Sequence, residues 1–398
     1  MVDVITVTLV AFALGASFFA AWAIGAGSTG STPFAPAVGA GAISTMRAAF
    51  IVGLLGFSGA VLQGAAITET VGRGLIGGVT LSPLAATVAL FIAVTYITAG
   101  VFRGYPIATA FAITGSVVGV GVAMGGDPAW DRYLTIGTYW LLTPVFVAPV
   151  AYAVTRLLRS ERASNRVAIP MLAGVVGAVI SNMEFLLVGP ADVPQSIALW
   201  IAERVPLSAT LGVAIVTAIV ATGFAVVMYA SIDRDAIAAQ RWFLLAIGSL
   251  VAFSAGGGQV GLAVGPLLPL LEEVAGSTTV TPVLLFGGTG MLLGTWLAAT
   301  RMIKALSQDY SALGPRRSIG VLIPAFVIAQ IGIFFGMPMS FNEIFISAIT
   351  GAGLASGSGG VSARKLGFTA LAWIGSLAFS LFIGYGVYTA ISAVTGLS

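Results

Sequence analysis

Hydroxyl-bearing and small residues are concentrated in one stretch, residues 25–36, directly after the first apolar segment. Its candidate ligands are Ser28, Thr29, Ser31 and Thr32. A stretch of this composition cannot continue as a helix that faces lipid, so we expect it to unwind inside protein or against water. A helix that restarts near Pro33 or Pro36 would point its free N–H groups inward, where they attract an anion. The stretch therefore predicts an anion site; the alternative is an ordinary cytoplasmic loop.

A second stretch, residues 256–266, ends a later apolar segment and is rich in glycine. It offers almost no side-chain ligands. The backbone amides of Gly257 and Gly258 and the side chain of Gln259 would have to do any binding there. Close packing of helices is the competing explanation, because glycine lets two backbones approach each other.

Two further segments, residues 105–111 and 337–343, each contain a proline that opens a short apolar helix. Thr109, Ser340 and Asn342 fall in the first turns of these helices or just beyond them. Helices that enter from opposite sides of a membrane would start near its centre, which makes these three side chains candidate substrate ligands. Small polar residues in membrane helices also bond their own backbone or a neighbouring helix, so a structural role is the alternative for each.

Acidic residues at membrane depth are costly and are therefore candidates for binding a coupling cation. Glu343, in the first turn of its helix, is the main candidate, and Glu69 is a second one. The alternatives are that Glu343 caps its helix at the outer boundary and that Glu69 is interfacial. Lys and Arg lie only at the ends of the apolar segments or outside them, so an anion at mid-membrane would be neutralised by hydroxyls, amides, helix dipoles and a co-bound cation. Sodium ions are compatible with this pattern, and no other cofactor is expected.

The elements that would position these residues are membrane helices. Of 398 residues, 58% are hydrophobic and 8% are charged, whereas soluble domains carry about 25% charged residues. Apolar stretches recur at the length that crosses a bilayer core about 30 Å thick, and they lack the alternation of barrel strands. Cysteine and histidine are absent from the sequence, which excludes thiolate chemistry and the usual general base. We expect an all-α polytopic protein of the lipid bilayer, and neither an enzyme nor a nucleic-acid-binding protein.

Twelve spans are predicted, at residues 4–24, 45–63, 83–101, 107–124, 133–156, 167–188, 207–231, 242–256, 281–300, 318–336, 339–361 and 366–392. Positive residues are retained on the cytoplasmic side of a membrane. With the N-terminus outside, fourteen of the seventeen Lys and Arg residues face the cytoplasm, and Arg73, Arg132 and Arg204 face outward. The chain is therefore predicted to lie in the cell membrane with both termini extracellular.

Sequence landmarks recur at a nearly constant offset of 231 to 233 residues. The pairs are Gly25 with Gly256, Pro106 with Pro338, Trp140 with Trp373, and Tyr152 with Tyr385. Spans 1–5 thus correspond to spans 8–12, and a shift of seven spans inverts the second copy. We predict a first repeat at 1–160, a two-span linker at 161–237 and an inverted second repeat at 238–398. Inverted repeats with broken or half helices are typical of secondary transporters, which hold substrate near the midplane.

These segments resemble the signatures of the inorganic phosphate transporter family, over both repeats and hence most of the chain. Residues 25–32 and 256–263 align with the family's Gly-Ala-Asn-Asp-Val-Ala-Asn-Ala signature. Residues 67–76 resemble its Val-Ser/Thr-Glu/Asp-Thr-Ile-Arg-Lys-Gly-Ile segment, and residues 105–111 and 337–343 resemble its Tyr-Pro-Ile-Ser-Thr-Thr-His element. The resemblance implies import of phosphate together with sodium ions or protons.

The chain departs from the family pattern at the ion-binding positions. The signature Asp that the family uses for the coupling cation falls on Ser28 and Gln259, and the family's His falls on Phe111 and Glu343. Carried over residue by residue, the resemblance implies anion ligation by Ser28, Ser31, Thr32, Thr109 and Ser340. It leaves no aspartate for cation coupling, so Glu343 is the replacement that we infer.

The leading interpretation is a secondary active transporter that imports inorganic phosphate by alternating access, with sodium or protons as the driving ion. Sulfate or another oxyanion is an alternative substrate, since hydroxyls and amides discriminate weakly between tetrahedral anions. An alternative of another class is a passive anion pore, or a non-transporting sensor that kept the fold after losing its cation site. A homodimer is a further arrangement that the sequence leaves open.

Overall fold

A computed structural model describes residues 4–160, 164–190, 193–275, 279–308, 314–355 and 363–396. The helices within these ranges are α1 (Val4–Ile24), α2 (Ala35–Gly39), α3 (Thr45–Gln63), α4 (Ala65–Arg73), α5 (Pro83–Arg103), α6 (Thr109–Ala123), α7 (Trp130–Arg159), α8 (Asn165–Asn182), α9 (Ile197–Ala202), α10 (Ala209–Arg234), α11 (Ala236–Val264), α12 (Leu268–Ala275), α13 (Thr281–Gln308), α14 (Pro315–Phe334), α15 (Phe341–Leu354) and α16 (Ala363–Thr395). Two short antiparallel ladders pair β1 (Ile76–Gly77) with β2 (Asp127–Pro128) and β3 (Glu184–Phe185) with β4 (Gln195–Ser196).

Ten of the described helices are long and apolar enough to cross a membrane: α1, α3, α5, α7, α8, α10, α11, α13, α14 and α16. They coincide with ten of the twelve predicted spans. The chain is thus an all-α polytopic membrane protein, as predicted. Several helix boundaries follow from local chemistry: Asp235 ends α10 and caps α11 by accepting hydrogen bonds from two backbone amides, and Gly104, with a φ of 69°, ends α5.

The other two predicted spans, 107–124 and 339–361, correspond to the short helices α6 and α15. They contain fifteen and fourteen residues, so each is about 21 to 23 Å long, which is less than the bilayer core. Each follows a proline-containing segment without helical structure, residues 104–108 and 335–340. The expected end at 361 lies outside the described residues, and twelve complete crossings remain a prediction.

Helices from the two predicted repeats pack against each other reciprocally. The short helix α6 packs on α16, and the short helix α15 packs on α7. Trp140 of α7 donates its indole N–H to the Pro338 carbonyl at 2.7 Å, and Trp373 of α16 donates to the Pro106 carbonyl at 3.0 Å. Each half therefore fixes the proline segment that precedes the short helix of the other half. The repeat boundaries and the inverted orientation remain predictions, and residues 161–163, at the first boundary, lie outside the described part of the chain.

Glycines bring two pairs of long helices into backbone contact. A Cβ atom on Gly256 of α11 would lie 1.8 Å from the Gly56 carbonyl oxygen of α3. A Cβ on Gly294 of α13 would lie 1.9 Å from the Trp22 carbonyl oxygen of α1. Glycine is therefore required at these crossings, as is common where membrane helices pack closely.

The helices of the predicted linker lie at the side of the molecule. Helix α10 packs on α8 and, less extensively, on α9 and α11. Most of its residues are exposed, including the apolar Ile219 and Val227. In a membrane protein such a surface faces lipid or another subunit; the homodimer remains a prediction.

Candidate functional site

The hydroxyl-rich stretch begins in a π-helical turn that extends α1 from Gly25 to Thr29. The Gly30 amide donates to the Gly25 carbonyl at 2.9 Å, and the Thr295 hydroxyl of α13 donates to the same carbonyl at 3.1 Å. The helix therefore continues past Gly25, because the wider turn and a neighbouring helix satisfy the backbone. It ends after Thr29, where residues 30–34 form buried turns, so the stretch leaves the helical form inside the protein, as expected. The helix does restart beside Pro36, but α2 has only five residues.

Gln259 connects the π turn with the start of α6. Thr29 donates its hydroxyl to Gln259 Oε1 at 2.7 Å, and Gln259 Nε2 donates to the Thr109 hydroxyl at 2.8 Å. All three residues are buried, with exposed fractions of at most 1%. One amide side chain therefore joins α6, α11 and the turn that follows α1, although these elements are far apart in the sequence.

Asn342, in the first turn of α15, reaches the same place from the other half of the chain. Its Nδ2 donates to the Gly27 carbonyl of the π turn at 3.1 Å and to the Ile107 carbonyl before α6 at 2.7 Å. The starts of α6 and α15 are thereby connected through one side chain. We call Ser28, Thr29, Thr109, Gln259 and Asn342 the central cluster.

Two buried atoms of the central cluster have no hydrogen-bond partner in the described structure: the Ser28 hydroxyl oxygen and Asn342 Oδ1. Leaving a buried polar group unpaired costs about 1–3 kcal/mol, so such groups in a native protein call for an explanation. A hydroxyl can donate to an anionic oxygen, whereas an amide oxygen can accept from a protonated one. The pair is therefore chemically suited to an oxyanion that carries a proton.

The remaining predicted hydroxyl ligands bond the backbone nearby. Ser31 donates to the Gly27 and Ser28 carbonyls, each at 3.2 Å, and Thr32 donates to the Ser28 carbonyl at 3.1 Å. Ser340 caps α15 by accepting from the Glu343 amide at 3.4 Å. These three side chains are buried beside the central cluster, and their bonds shape its backbone.

The predicted break in the helix at Gly257 and Gly258 is wrong, and binding by their backbone remains an untested prediction. Helix α11 continues to Val264 without the predicted break, so these amides lie in mid-helix, where the helical hydrogen bonds use them. A Cβ on Gly257 would lie 2.6 Å from Cβ of Gln63, and one on Gly258 would lie 2.9 Å from the Phe341 ring. Both glycines therefore allow close helix packing, which was the alternative to ligand binding in the sequence analysis.

Glu343 is buried in the first turn of α15, with 3% of its surface exposed. Its side chain forms no ion pair and accepts no hydrogen bond within the described residues. Its own backbone carbonyl accepts from the Ser347 hydroxyl at 2.8 Å. A cation-binding role for Glu343 remains a prediction. The alternative, in which Glu343 caps its helix at the membrane boundary with a solvated carboxylate, does not agree with this burial.

Glu69 lies elsewhere, on the partly exposed surface of α4. It pairs with Arg73 at 3.0 Å, and Arg73 also pairs with Glu272 of α12. The hydrogen bond to Glu272 raises the pKa of Arg73 above its ordinary value. Glu69 therefore belongs to a surface ion-pair group, and the structure does not bring it together with the central cluster.

A second polar group in the interior was not predicted. Gln63 of α3 and Gln330 of α14 bond each other through both amides at 3.2 and 3.3 Å. Gln330 also donates to the Ser254 hydroxyl at 2.6 Å, and Gln63 donates to the Glu184 carbonyl at 2.9 Å. A glutamine inside each of two apolar segments was the available signal, since long polar side chains are costly in that environment.

Comparisons with known proteins agree with this architecture. The phosphate transporter family matches residues 24–384. A relative from Pyrococcus horikoshii, named as a phosphate permease, is 27% identical over 85% of this chain and 87% of its own length. The chloroplastic inorganic phosphate transporter 2-1 of Arabidopsis thaliana is 23% identical over 90% of this chain and 68% of its own length.

One solved structure, described as the sodium-dependent phosphate transporter, is similar over 97% of this chain and 100% of its own. The TM-score is 0.81 at 22% sequence identity, which shows a shared fold. The family match covers most of the chain, and the buried polar cluster lies in the segments that carry the family signatures. This chain belongs to the phosphate transporter family.

Proposed function

We propose that the protein imports inorganic phosphate across the cell membrane by alternating access, driven by a gradient of sodium ions or protons. The observation that carries the proposal is the central cluster, where buried side chains from both predicted repeats meet and two of them offer unpaired polar atoms. Family membership supports phosphate as the substrate. The termini are proposed to be extracellular, as the distribution of Lys and Arg predicts.

A carrier fits the central cluster better than a passive pore. Its five residues are at most 1% exposed, so no continuous water-filled path reaches them in this conformation. A substrate would have to be exposed to one side at a time, as in alternating access. The reciprocal bonds of Trp140 and Trp373 support two related halves that could rock about this point.

Uptake of labelled phosphate into proteoliposomes tests the proposal. We expect saturable accumulation against the phosphate gradient when an ion gradient is imposed, and none in empty liposomes. Flux that stays linear with phosphate concentration and ignores ion gradients would instead indicate a pore. Competition by unlabelled sulfate separates phosphate from other tetrahedral oxyanions, since equal competition would overturn phosphate as the specific substrate.

A further inference from the structure

Glu343 is the one acidic residue that is buried among those whose side chains the structure describes. It follows Asn342, a member of the central cluster, and Phe341, whose ring contacts Gly258 next to Gln259. Its carboxyl group is thus held in the first turn of α15, on the helix that reaches the π turn. Burial of an ionised carboxylate without a partner is costly, so the site favours a carboxyl group that can take up a proton.

In the described part of the chain, no Lys or Arg side chain forms an ion pair with Glu343. On α7, Tyr139 interacts electrostatically with Glu343 and donates its hydroxyl to the Ile328 carbonyl of α14 at 3.0 Å. Arg316 and Arg317 lie in the first turn of α14, about 26 Å along that helix from the end that meets α15. The π turn contains no titratable residue.

The positions that bear the family's aspartates have no carboxylate here. Gln259 instead uses both ends of its amide in hydrogen bonds, one with Thr29 and one with Thr109. A neutral amide therefore joins α11 to the π turn and to the start of α6, which leaves Glu343 as the buried carboxyl group near the central cluster among the described side chains.

We propose that the coupling ion of this transporter is a proton and that Glu343 carries it. The proposal rests on the proposed function. A phosphate anion and an ionised carboxylate repel each other in a buried site of low dielectric constant. One proton bound to a Glu343 carboxylate oxygen removes that repulsion, so phosphate binding and proton binding favour each other reciprocally. The O–H bond forms on the side of higher proton activity and breaks on the other side after phosphate leaves.

The first test compares driving ions for the purified full chain in proteoliposomes. Labelled phosphate uptake is measured in sodium-free buffer with an alkaline interior, and separately with an inward sodium gradient at equal pH. The external pH is the same throughout, so the ionic form of external phosphate does not vary. We expect the pH gradient to drive accumulation and the sodium gradient to add nothing. Accumulation driven by sodium at equal pH would overturn the proposal.

The second test measures phosphate binding against pH for the wild-type chain and Glu343→Gln. Phosphate changes its own ionisation equally in both samples, so the ratio of the wild-type Kd to the Glu343→Gln Kd isolates the effect of Glu343. We expect that ratio to rise by about tenfold per pH unit once Glu343 ionises in the wild-type chain. A constant ratio across the pH range would overturn the assignment. Glu203→Gln, an exposed control on the segment after α9, should behave as wild type.

Two further measurements keep the test decisive. Glu343→Asp retains a carboxyl group, so it should retain a pH-dependent Kd even where Glu343→Gln alters folding. Exchange of phosphate across the membrane at equal pH needs no net proton movement, so Glu343→Gln should still exchange while losing the response to the pH gradient. If the wild-type chain neither binds nor exchanges phosphate, the proposed function fails; if it does both but uses sodium, only the proton assignment fails.

Discussion

Residues 25–32 and 256–263 occupy equivalent places in the two predicted repeats, yet their structures differ. In the first, the helix widens into a π turn, and the Ser28 hydroxyl is left without a partner. In the second, α11 stays regular, its glycines contact neighbouring helices, and Gln259 is bonded at both ends. Similar glycine spacing thus supports similar helix packing, whereas the side chains decide which segment can bind a ligand.

The largest effect is expected where the two segments are alike. A Cβ on Gly25 would lie 2.1 Å from the Met291 carbonyl oxygen, and one on Gly256 would lie 1.8 Å from that of Gly56. Because backbone atoms cannot move aside as side chains do, Gly25→Ala and Gly256→Ala should each lower the free energy of unfolding by about 3 kcal/mol. Denaturant unfolding in detergent measures this. Gly223→Ala, with no atom within 4 Å of the added Cβ, should not destabilise; a neutral result for either test variant would remove the packing explanation.

The next effect should appear only in the first segment. Ser28→Ala removes a buried hydroxyl that bonds nothing in the described protein, so the free energy of unfolding should not fall and should rise by about 1 kcal/mol, because an unpaired buried polar group is removed. If that hydroxyl donates to a phosphate oxygen, its loss should raise the phosphate Kd by about tenfold or more, because hydrogen bonds to charged groups are strong. Equilibrium binding of labelled phosphate measures this. Ser249→Ala, which loses only a bond within α11, should leave the Kd unchanged, and an unchanged Kd for Ser28→Ala would contradict its role as a ligand.

The second segment should respond in the opposite way, because its substitution should change the stability of the protein more than its phosphate binding. Gln259→Met keeps the length of the side chain but leaves the Thr29 and Thr109 hydroxyls without their amide partner. We expect a loss of about 2 kcal/mol in the free energy of unfolding. Gln240→Met, a half-buried glutamine on the same helix, serves as the matched control in the same unfolding measurement. Equal stability of the two variants would show that the amide bridge does not hold the elements together.

The smallest expected effect tests whether equivalent contacts in the two predicted repeats contribute equally to stability. Trp140→Phe and Trp373→Phe each remove one indole hydrogen bond to a proline-segment carbonyl. Each should cost about 1 kcal/mol in the free energy of unfolding. Thermal unfolding of both variants, with the exposed Trp242→Phe as control, measures the pair. Clearly unequal losses would show that the two bonds are not equivalent.

Much of the fold could be predicted from the sequence because lipid restricts the choices. Helix length and the absence of charge located the ten long helices, and α3 begins at Thr45 and ends at Gln63 as predicted. The short helices α4 and α12 were missed, because nine and eight residues are too few to produce a span signal. The two short ladders were also missed, since two-residue strands have no detectable period.

The site was harder to predict, because side-chain partners depend on packing between distant elements. The types of Thr109 and Asn342 suggested that they could bind a ligand, but nothing local indicated that Asn342 bonds the carbonyls of Gly27 and Ile107. The glycines near Gln259 were open to two explanations, and only the neighbouring backbone of α3 decided between them. The Gln63–Gln330 pair required a partner 267 residues away.

The packing of α6 on α16 has a consequence for how the protein is made. Helix α6 is complete at Ala123, whereas α16 begins at Ala363. At a synthesis rate of about 5–20 residues per second, α6 waits roughly 12 to 50 seconds for its partner helix to be made. During that interval the Pro106 carbonyl lacks the indole of Trp373. The first half of the chain must therefore enter the membrane while it is still incompletely packed.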